Sequence, residues 1–418
     1  HCGSHGKCND NGSCNCDAGF KFDQGQNTCV FDCKCESSSQ VCVGPGECSC
    51  KQDCGDNGFC LREQCRCFAG WTGNTCLIKT ERLNADTDTA ANMDGLTYYS
   101  TNFVFLDAFK TRSEWVSQFH PDYYFGEDKY EWNTGATINL DDNGYPTSLA
   151  ENQVVGTLMN RDLKKAYPGG RYVVLYEGEG ILRLGMDATV VEERYGRIII
   201  NVVPSNVRDN GIYLRILETN TQNRIRNIRV VPIEYEYTFE RQLFTPAFLK
   251  RAERFNAFRF MDWMNSPSIT KTHDWTDRTL PAQRQEPASV EYIVDLCNRV
   301  GAGAWVNVHH LATSNYATKL AEYLKDNLRS DSHIYVELSN ETWNSLFTVY
   351  DYYRQIAEND DNFENVQKVY ADRAVKLFEA FEAVFNTQEL RSRLTLILGT
   401  QMVNTWITEQ IVTYPKAA

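Results

Sequence analysis

Two sets of residues in this 418-residue chain have the types and spacing to do chemistry. The first is a block of thiols. Fifteen of the sixteen cysteines lie between Cys2 and Cys76, and residues 77–418 hold only Cys297. Thiols this concentrated either oxidise to disulfides or bind metal. Cys14-x-Cys16, Cys33-x-Cys35, Cys48-x-Cys50 and Cys65-x-Cys67 are separated by one residue, whereas zinc sites use C-x2-C or wider pairs to bring both thiolates to one tetrahedral ion. The expectation is disulfides, with no metal and no cofactor, in a head that matures in an oxidising compartment. The second set is polar: Asp262-Trp263, Asn307 with His309-His310, and Ser339-Asn340-Glu341-Thr342-Trp343-Asn344. A carboxyl among them could give or take a proton. The two histidines are a poor metal pair, because neighbours on a strand point to opposite sides and no third ligand is spaced for the same ion.

Such clusters need elements to present them. Residues 77–97 turn to Thr, Asp, Asn and Ala and read as a linker. Over 98–237 the pattern is of short strands, with apolar or alternating runs at Arg171–Glu177, Arg197–Val203, Tyr213–Leu217 and Arg226–Ile233. Turn residues separate them, as in Asp141-Asp142-Asn143-Gly144 and Gly178-Glu179-Gly180. The spacing predicts an antiparallel β-sandwich with Trp115 and Trp132 as core. Over 238–418 the period changes. Thr245-Pro246 opens a helix, strands are expected at Phe258–Trp263, Ala304–Val308, Ile334–Leu338 and Leu394–Leu398, and Asn365–Phe385 is a long amphipathic helix. Val290, Ile293, Val294, Leu296, Cys297 and Val300 share one helical face that Gly301 ends, so Cys297 reads as inert packing. Alternating strands and helices predict a parallel sheet in a partial α/β (TIM-type) barrel. It has four strands, or five if Phe103–Leu106 is the first and the sandwich follows it as an insertion. In such barrels function sits at the C-terminal strand ends, where the polar clusters fall.

The segment Tyr335-Val336-Glu337-Leu338-Ser339-Asn340-Glu341-Thr342-Trp343 resembles the strand-four Asn-Glu motif of the retaining glycoside hydrolase superfamily with (β/α)8 barrels. The stretch from Phe103 through Tyr167-Pro168-Gly169-Gly170, Arg226-Asn227-Ile228-Arg229 and Arg259-Phe260-Met261-Asp262-Trp263-Met264 also resembles a group of bacterial proteins labelled cellulose-binding or glycosidase-like. The resemblance covers most of 95–414. It implies that Glu341 is a general acid/base and Asn340 a clamp on the sugar, with Asp262, Trp263, Asn307, His309, His310 and Trp343 at the substrate site. Retaining hydrolysis needs a second carboxyl about 5 to 5.5 Å away. The superfamily takes it from strand seven, for which no residue of this chain stands. The expectation is a barrel whose second half lies elsewhere, or a half-barrel kept as scaffold.

In the head, Cys50, Cys54, Cys60, Cys65, Cys67 and Cys76, with Gly58 and Gly70-Trp71-Thr72-Gly73, resemble an epidermal-growth-factor (EGF)-like module of the tenascin kind over 50–76. The resemblance implies bridges Cys50–Cys60, Cys54–Cys65 and Cys67–Cys76. Cys2, Cys8, Cys14, Cys16 and Cys29 repeat the pattern over 1–32 from its second cysteine onward. Cys8 is therefore expected to lack a partner here, with His1 a cut end. A partial unit, 33–49, holds Cys33, Cys35, Cys42 and Cys48, whose two bridges cannot be assigned. The lead-in typical of calcium-binding modules is missing. Asn11-Gly12-Ser13 is the expected glycan site, and Asn340-Glu341-Thr342 a sequon too enclosed for modification.

Composition bounds the function. At 42% hydrophobic the chain can bury a full core, and a net charge of −13 without a basic face argues against nucleic acid. No apolar run nears the twenty residues that span a membrane. Two readings follow: an extracellular or cell-surface structural protein that self-associates into a matrix or filament such as the hairs of algal flagella, or a secreted β-glycan hydrolase or carbohydrate-binding protein. Polysaccharide is a partner in the second reading and an option in the first.

Overall fold

The computed structural model describes residues 6–8, 14–16, 20–23, 28–31, 42–44, 47–48, 54, 57–61, 64–80, 84, 87–119, 132–266, 271 and 273–415. The head is a series of two-stranded antiparallel hairpins. Disulfides join Cys16 to Cys29, Cys54 to Cys65 and Cys67 to Cys76, and Cys14 is also disulfide-bonded. The other expected bridges, the state of Cys8 and the sequon at Asn11 rest on atoms outside the described residues.

The large unit begins with β1 (Ala90–Asn92). Eight strands follow: β2 (Val116–Phe119), β3 (Gln153–Met159), β4 (Gly170–Glu177), β5 (Gly180–Met186), β6 (Ala188–Arg194), β7 (Arg197–Val202), β8 (Ile212–Thr219) and β9 (Arg226–Pro232). They make two antiparallel sheets, ordered β2-β3-β8-β5 and β6-β7-β4-β9. Val155, Leu182, Leu214 and Ile216 of one share a buried core with Tyr172, Val174, Ile200 and Val230 of the other. Gly178, at φ 92°, makes the turn between β4 and β5, where a Cβ would lie 2.0 Å from Arg224 O. The outer face of the second sheet is covered too. Val173 and Val231 pack there with Leu106 and with Phe239 of α1 (Phe239–Gln242).

Helices and strands then alternate. In α2 (Pro246–Ala252) the Thr245 hydroxyl accepts the Phe248 N–H and Pro246 fills the first turn. The chain continues through β10 (Ala257–Arg259), α3 (Val290–Val300), β11 (Gly303–Val308), α4 (Ser314–Asn327), β12 (Ile334–Leu338), α5 (Thr348–Asn359), α6 (Val366–Val384), α7 (Gln388–Arg391), β13 (Leu394–Ile397) and α8 (Thr405–Val412). Gly301 ends α3 in the left-handed conformation at φ 69°, and Cys297 is fully buried beneath that helix. The sheet order β1-β10-β11-β12-β13 is chain order and every pairing is parallel.

Three expectations are corrected here. The first strand of the parallel sheet is Ala90–Asn92, inside the stretch read as a linker, because its backbone pairs with β10 although Ala-Ala-Asn carries no strand signal. Phe103–Leu106 is therefore not that strand, and Phe105 makes an isolated antiparallel bridge to Phe244. The strand expected to reach Trp263 stops at Arg259.

The module at 64–80 is seated on the end of this unit. Ala69 N–H donates to Arg299 O at 2.8 Å, and Arg329 Nη1 donates to Ala69 O at 3.1 Å. The guanidinium groups of Arg299 and Arg329 lie 5.7 Å from the Phe68 ring and 6.0 Å from the Trp71 ring. Asn84 pins the following chain, its Nδ2 donating to Phe255 O and Val300 O. Arg299 precedes β11 and Arg329 precedes β12, so the seat is at the N-terminal ends of the strands. Among the described residues, no helix is long and apolar enough to cross a membrane.

Candidate functional site

Side chains alternate between the two faces of the parallel sheet. Phe258, Val306, Ile334 and Val336 face the helices and are buried. The intervening residues, Arg259, Trp305, Asn307 and Glu337, lie on the opposite face and bond to one another. Arg259 grips Glu337 with two hydrogen bonds of 2.9 Å, from Nε to Oε2 and from Nη2 to Oε1. Trp305 Nε1 and Asn307 Nδ2 each donate to Glu337 Oε2 at 2.8 Å. The Arg259 guanidinium also lies 5.5 Å from the Trp305 ring. Such a bidentate pair is geometrically stiff.

This network holds the turn after β12. Ser339 and Glu341 both take positive φ, 57° and 42°, a conformation that costs about 1 to 2 kcal/mol for a residue with a Cβ. Asn307 Nδ2 donates to Ser339 O at 3.1 Å, and Arg259 Nη2 donates to Asn340 Oδ1 at 3.0 Å. The result is a cleft of about 790 Å³ at the C-terminal ends of the strands. Its floor holds Arg259, Trp305 and Glu337, its wall Asn340, Glu341 and Trp343, and its far rim Gly399 to Val403. Glu341 is exposed and accepts a hydrogen bond from Asn344 Nδ2 at 3.0 Å. Gly399 N–H donates to Tyr370 Oη at 2.7 Å, and a Cβ at Gly399 would come within 3.5 Å of Glu337 Oε1.

Of the residues singled out in the sequence, Asn340, Glu341, Trp343 and Asn344 line this cleft. Asn307 lies beneath it, fully buried in the network. The others are elsewhere. Trp263 is core, its Nε1 donating to Asp94 O at 3.1 Å, and Asp262 is an exposed carboxyl that partial burial and nearby Asp94 push upward in pKa. His309 is buried against His273 and Tyr316, and His310 packs beside Tyr352 and Tyr353. Burial drives both rings toward the neutral form, His309 to about 3 and His310 to about 4. Neither histidine lines the cleft, since both follow the end of β11 at Val308, where strand alternation stops. Among the described residues no three His, Cys, Asp or Glu side chains are placed to hold a metal ion.

Glu337 and Arg259 are the residues of the cleft floor that the sequence reading passed over. The signal was present: a lone carboxyl inside the apolar run Ile334–Leu338 must find a partner or face an open site.

Residues 50–79 match the family model for the Teneurin-like EGF domain. The match spans Cys54–Cys65 and Cys67–Cys76, so this part of the head is an EGF-like module, consistent with an extracellular protein of adhesive or structural role. No curated protein and no solved structure matches the chain.

Proposed function

We propose that this is an extracellular structural or adhesive protein whose parallel-sheet unit, a glycoside-hydrolase-like partial barrel, grips a polysaccharide without cutting it. The observation that carries the reading is the state of Glu337. Retaining hydrolysis needs two available carboxyls, one to attack and one to pass protons. Glu337 and Glu341 are the two carboxyls among the described residues of the cleft, and Glu337 accepts four hydrogen bonds, three of them on one oxygen. A carboxylate so engaged has no free lone pair for attack from Oε2 and is held against movement. Glu341, Asn340 and the Trp343 ring are left to bind hydroxyls and a pyranose face.

Retention on insoluble cellulose, xylan and mannan tests this. Binding to at least one is expected, weakened by Trp343→Ala, with no soluble sugar released. Release of sugar that stops in Glu341→Gln would favour the hydrolase reading, and failure to bind any of the three would remove the glycan from the proposal. Self-association into a matrix or filament belongs to the same proposal. Sedimentation of the full chain at rising concentration tests it separately, a monomer throughout counting against assembly.

A further inference from the structure

A second cavity, of about 250 Å³, lies where the sandwich meets the parallel-sheet unit and shares no lining residue with the cleft. Lys110 lines it together with Asp107, Arg229, Phe239, Pro281 and Tyr292. Lys110 is 9% exposed, and its Nζ makes one hydrogen bond, to Pro281 O at 3.0 Å, while sitting 5.0 Å from the Tyr292 ring. Asp107 is 2% exposed. Its Oδ1 accepts the N–H groups of Phe109 and Val230, whereas its buried Oδ2 has no hydrogen-bond partner and lies 3.6 Å from Arg229 Nε. The cavity thus brings together an amine that makes one hydrogen bond, a buried carboxylate and an apolar wall, none of which the cleft uses.

We propose that Lys110 is a covalent capture site for small unbranched aldehydes. The nitrogen lone pair attacks the carbonyl carbon, and a proton passes from nitrogen to the new alkoxide through a water molecule. The carbinolamine then loses its hydroxyl as water, taking the second nitrogen proton, and leaves a C=N bond. Phe239, Pro281 and Tyr292 offer an aldehyde's carbon chain an apolar wall, and the volume admits a chain of a few carbons.

The charge state of the amine supports this geometry. Burial, against the pull of Asp107, lowers Lys110 to about 8. At pH 7.4 the uncharged fraction is then larger than for an ordinary lysine by roughly two orders of magnitude. Lower basicity takes back about one of those orders, if amine nucleophilicity falls with pKa as thiolate nucleophilicity does.

The test uses the full chain, limiting acetaldehyde and sodium cyanoborohydride at pH 7.4, with the reduced N-ethyl-lysines mapped by peptide mass spectrometry. Lys110 is expected to alkylate about tenfold faster than the exposed Lys165 and Lys250. Its rate should level off above pH 8 while theirs keeps rising. Ala282→Trp, which crowds the rim of the cavity without touching the amine, should slow Lys110 and leave Lys165 unchanged. A Lys110 rate equal to or below that of the exposed lysines, or one indifferent to Ala282→Trp, would overturn the proposal.

Discussion

The two faces of the strands β10 to β12 are built by opposite rules. Toward the helices stand Phe258, Ala304, Val306, Ile334 and Val336, none more than 1% exposed. Toward the cleft stand Arg259, Trp305, Asn307 and Glu337, whose donors converge on the Glu337 carboxylate, three of them on Oε2. The first face is stabilised by area removed from water, about 1.5 to 3 kcal/mol for each large side chain, and tolerates any close-packed arrangement of similar volume. The second tolerates only its own geometry, because each member is satisfied by another member. A one-residue slip in register would exchange the faces and bury Arg259 and Glu337 against α3 and α4, so pairing is tightly specified. A buried ion pair is weak evidence for stability, and the comparison predicts that this one serves the shape of the cleft.

The largest effect should come from the apolar face. Phe258→Ala is expected to lower unfolding free energy by about 3 to 5 kcal/mol, measured from the urea midpoint at constant slope. Trp305→Phe on the other face, which keeps the ring but deletes one donor to Glu337, should cost about 1 to 2 kcal/mol. Equal losses would mean that the faces do not differ as described.

Next in size is the ion pair itself. Glu337→Ala leaves the Arg259 charge buried without a carboxylate and should cost about 3 kcal/mol. Arg259→Met combined with Glu337→Leu should recover part of that loss, since neither charge remains to be solvated while Trp305 Nε1 and Asn307 Nδ2 lose their acceptor. Polysaccharide retention should not return with it, because Asn340 would lose the donor that orients its amide. If the double variant is as unstable as the single one, the pair supports the fold and not the cleft.

Acid should discriminate between rings placed in packing and rings placed in an open site. His309 and His310 titrate far lower in the folded chain than their ordinary value near 6.5, through burial first and, for His309, through His273 and His310 as well. The folded state therefore resists protons that the unfolded state accepts. Stability is at its full value above pH 6.5 and falls as pH drops toward 4, by at most about 1.4 kcal/mol per pH unit for each ring. A loss of about 2 kcal/mol between pH 7.5 and 5.5 is expected, reduced in His309→Gln/His310→Asn to what His273 and His333, also lowered by burial, contribute. Asp141 and Asp187, held below the usual carboxylate range by their hydrogen bonds, matter only at lower pH. No pH dependence above 5.5 would place the histidines in solvent.

What the sequence shows of this comparison is uneven. The helix face of the sheet is legible in Ile334–Leu338 and in the period from Val290 to Val300, because burial selects residue types directly. The strands of the two antiparallel sheets are legible where turn glycines and β-branched runs alternate. The bridges Cys54–Cys65 and Cys67–Cys76 are the ones that the resemblance to an EGF-like module implies, since spacing alone leaves connectivity open. The polar face is harder to read, since its members are alternate residues on separate strands and their partnership exists only after pairing sets the register. Asn340 and Glu341 stood out as a dipeptide. Glu337, which holds them, looked like an ordinary strand residue, and β1 is invisible because Ala-Ala-Asn becomes a strand only through its partner β10.

The smallest effect should lie at the other end of the strands, where the EGF-like module is seated. Its attachment has neither the area of the apolar face nor the closed bonding of the polar one. It rests on a pair of backbone contacts at Ala69 and two guanidinium groups against aromatic rings. Arg329→Ala removes one hydrogen bond and one cation–aromatic contact from the seat, together with an exposed ion pair to Asp331, in all about 1 kcal/mol at a partly exposed site. The module's own fold should not notice, because its disulfides are local. The expected signature is faster amide exchange at Ala69 and in the hairpin of Ile78–Lys79 with Trp71–Thr72, with the urea midpoint of the large unit nearly unmoved. A fall in that midpoint comparable to Glu337→Ala would show that the seat is part of the core of the parallel-sheet unit. Unchanged exchange at Ala69 would show that Asn84, bonded to Phe255 O and Val300 O, holds the head in place without Arg329.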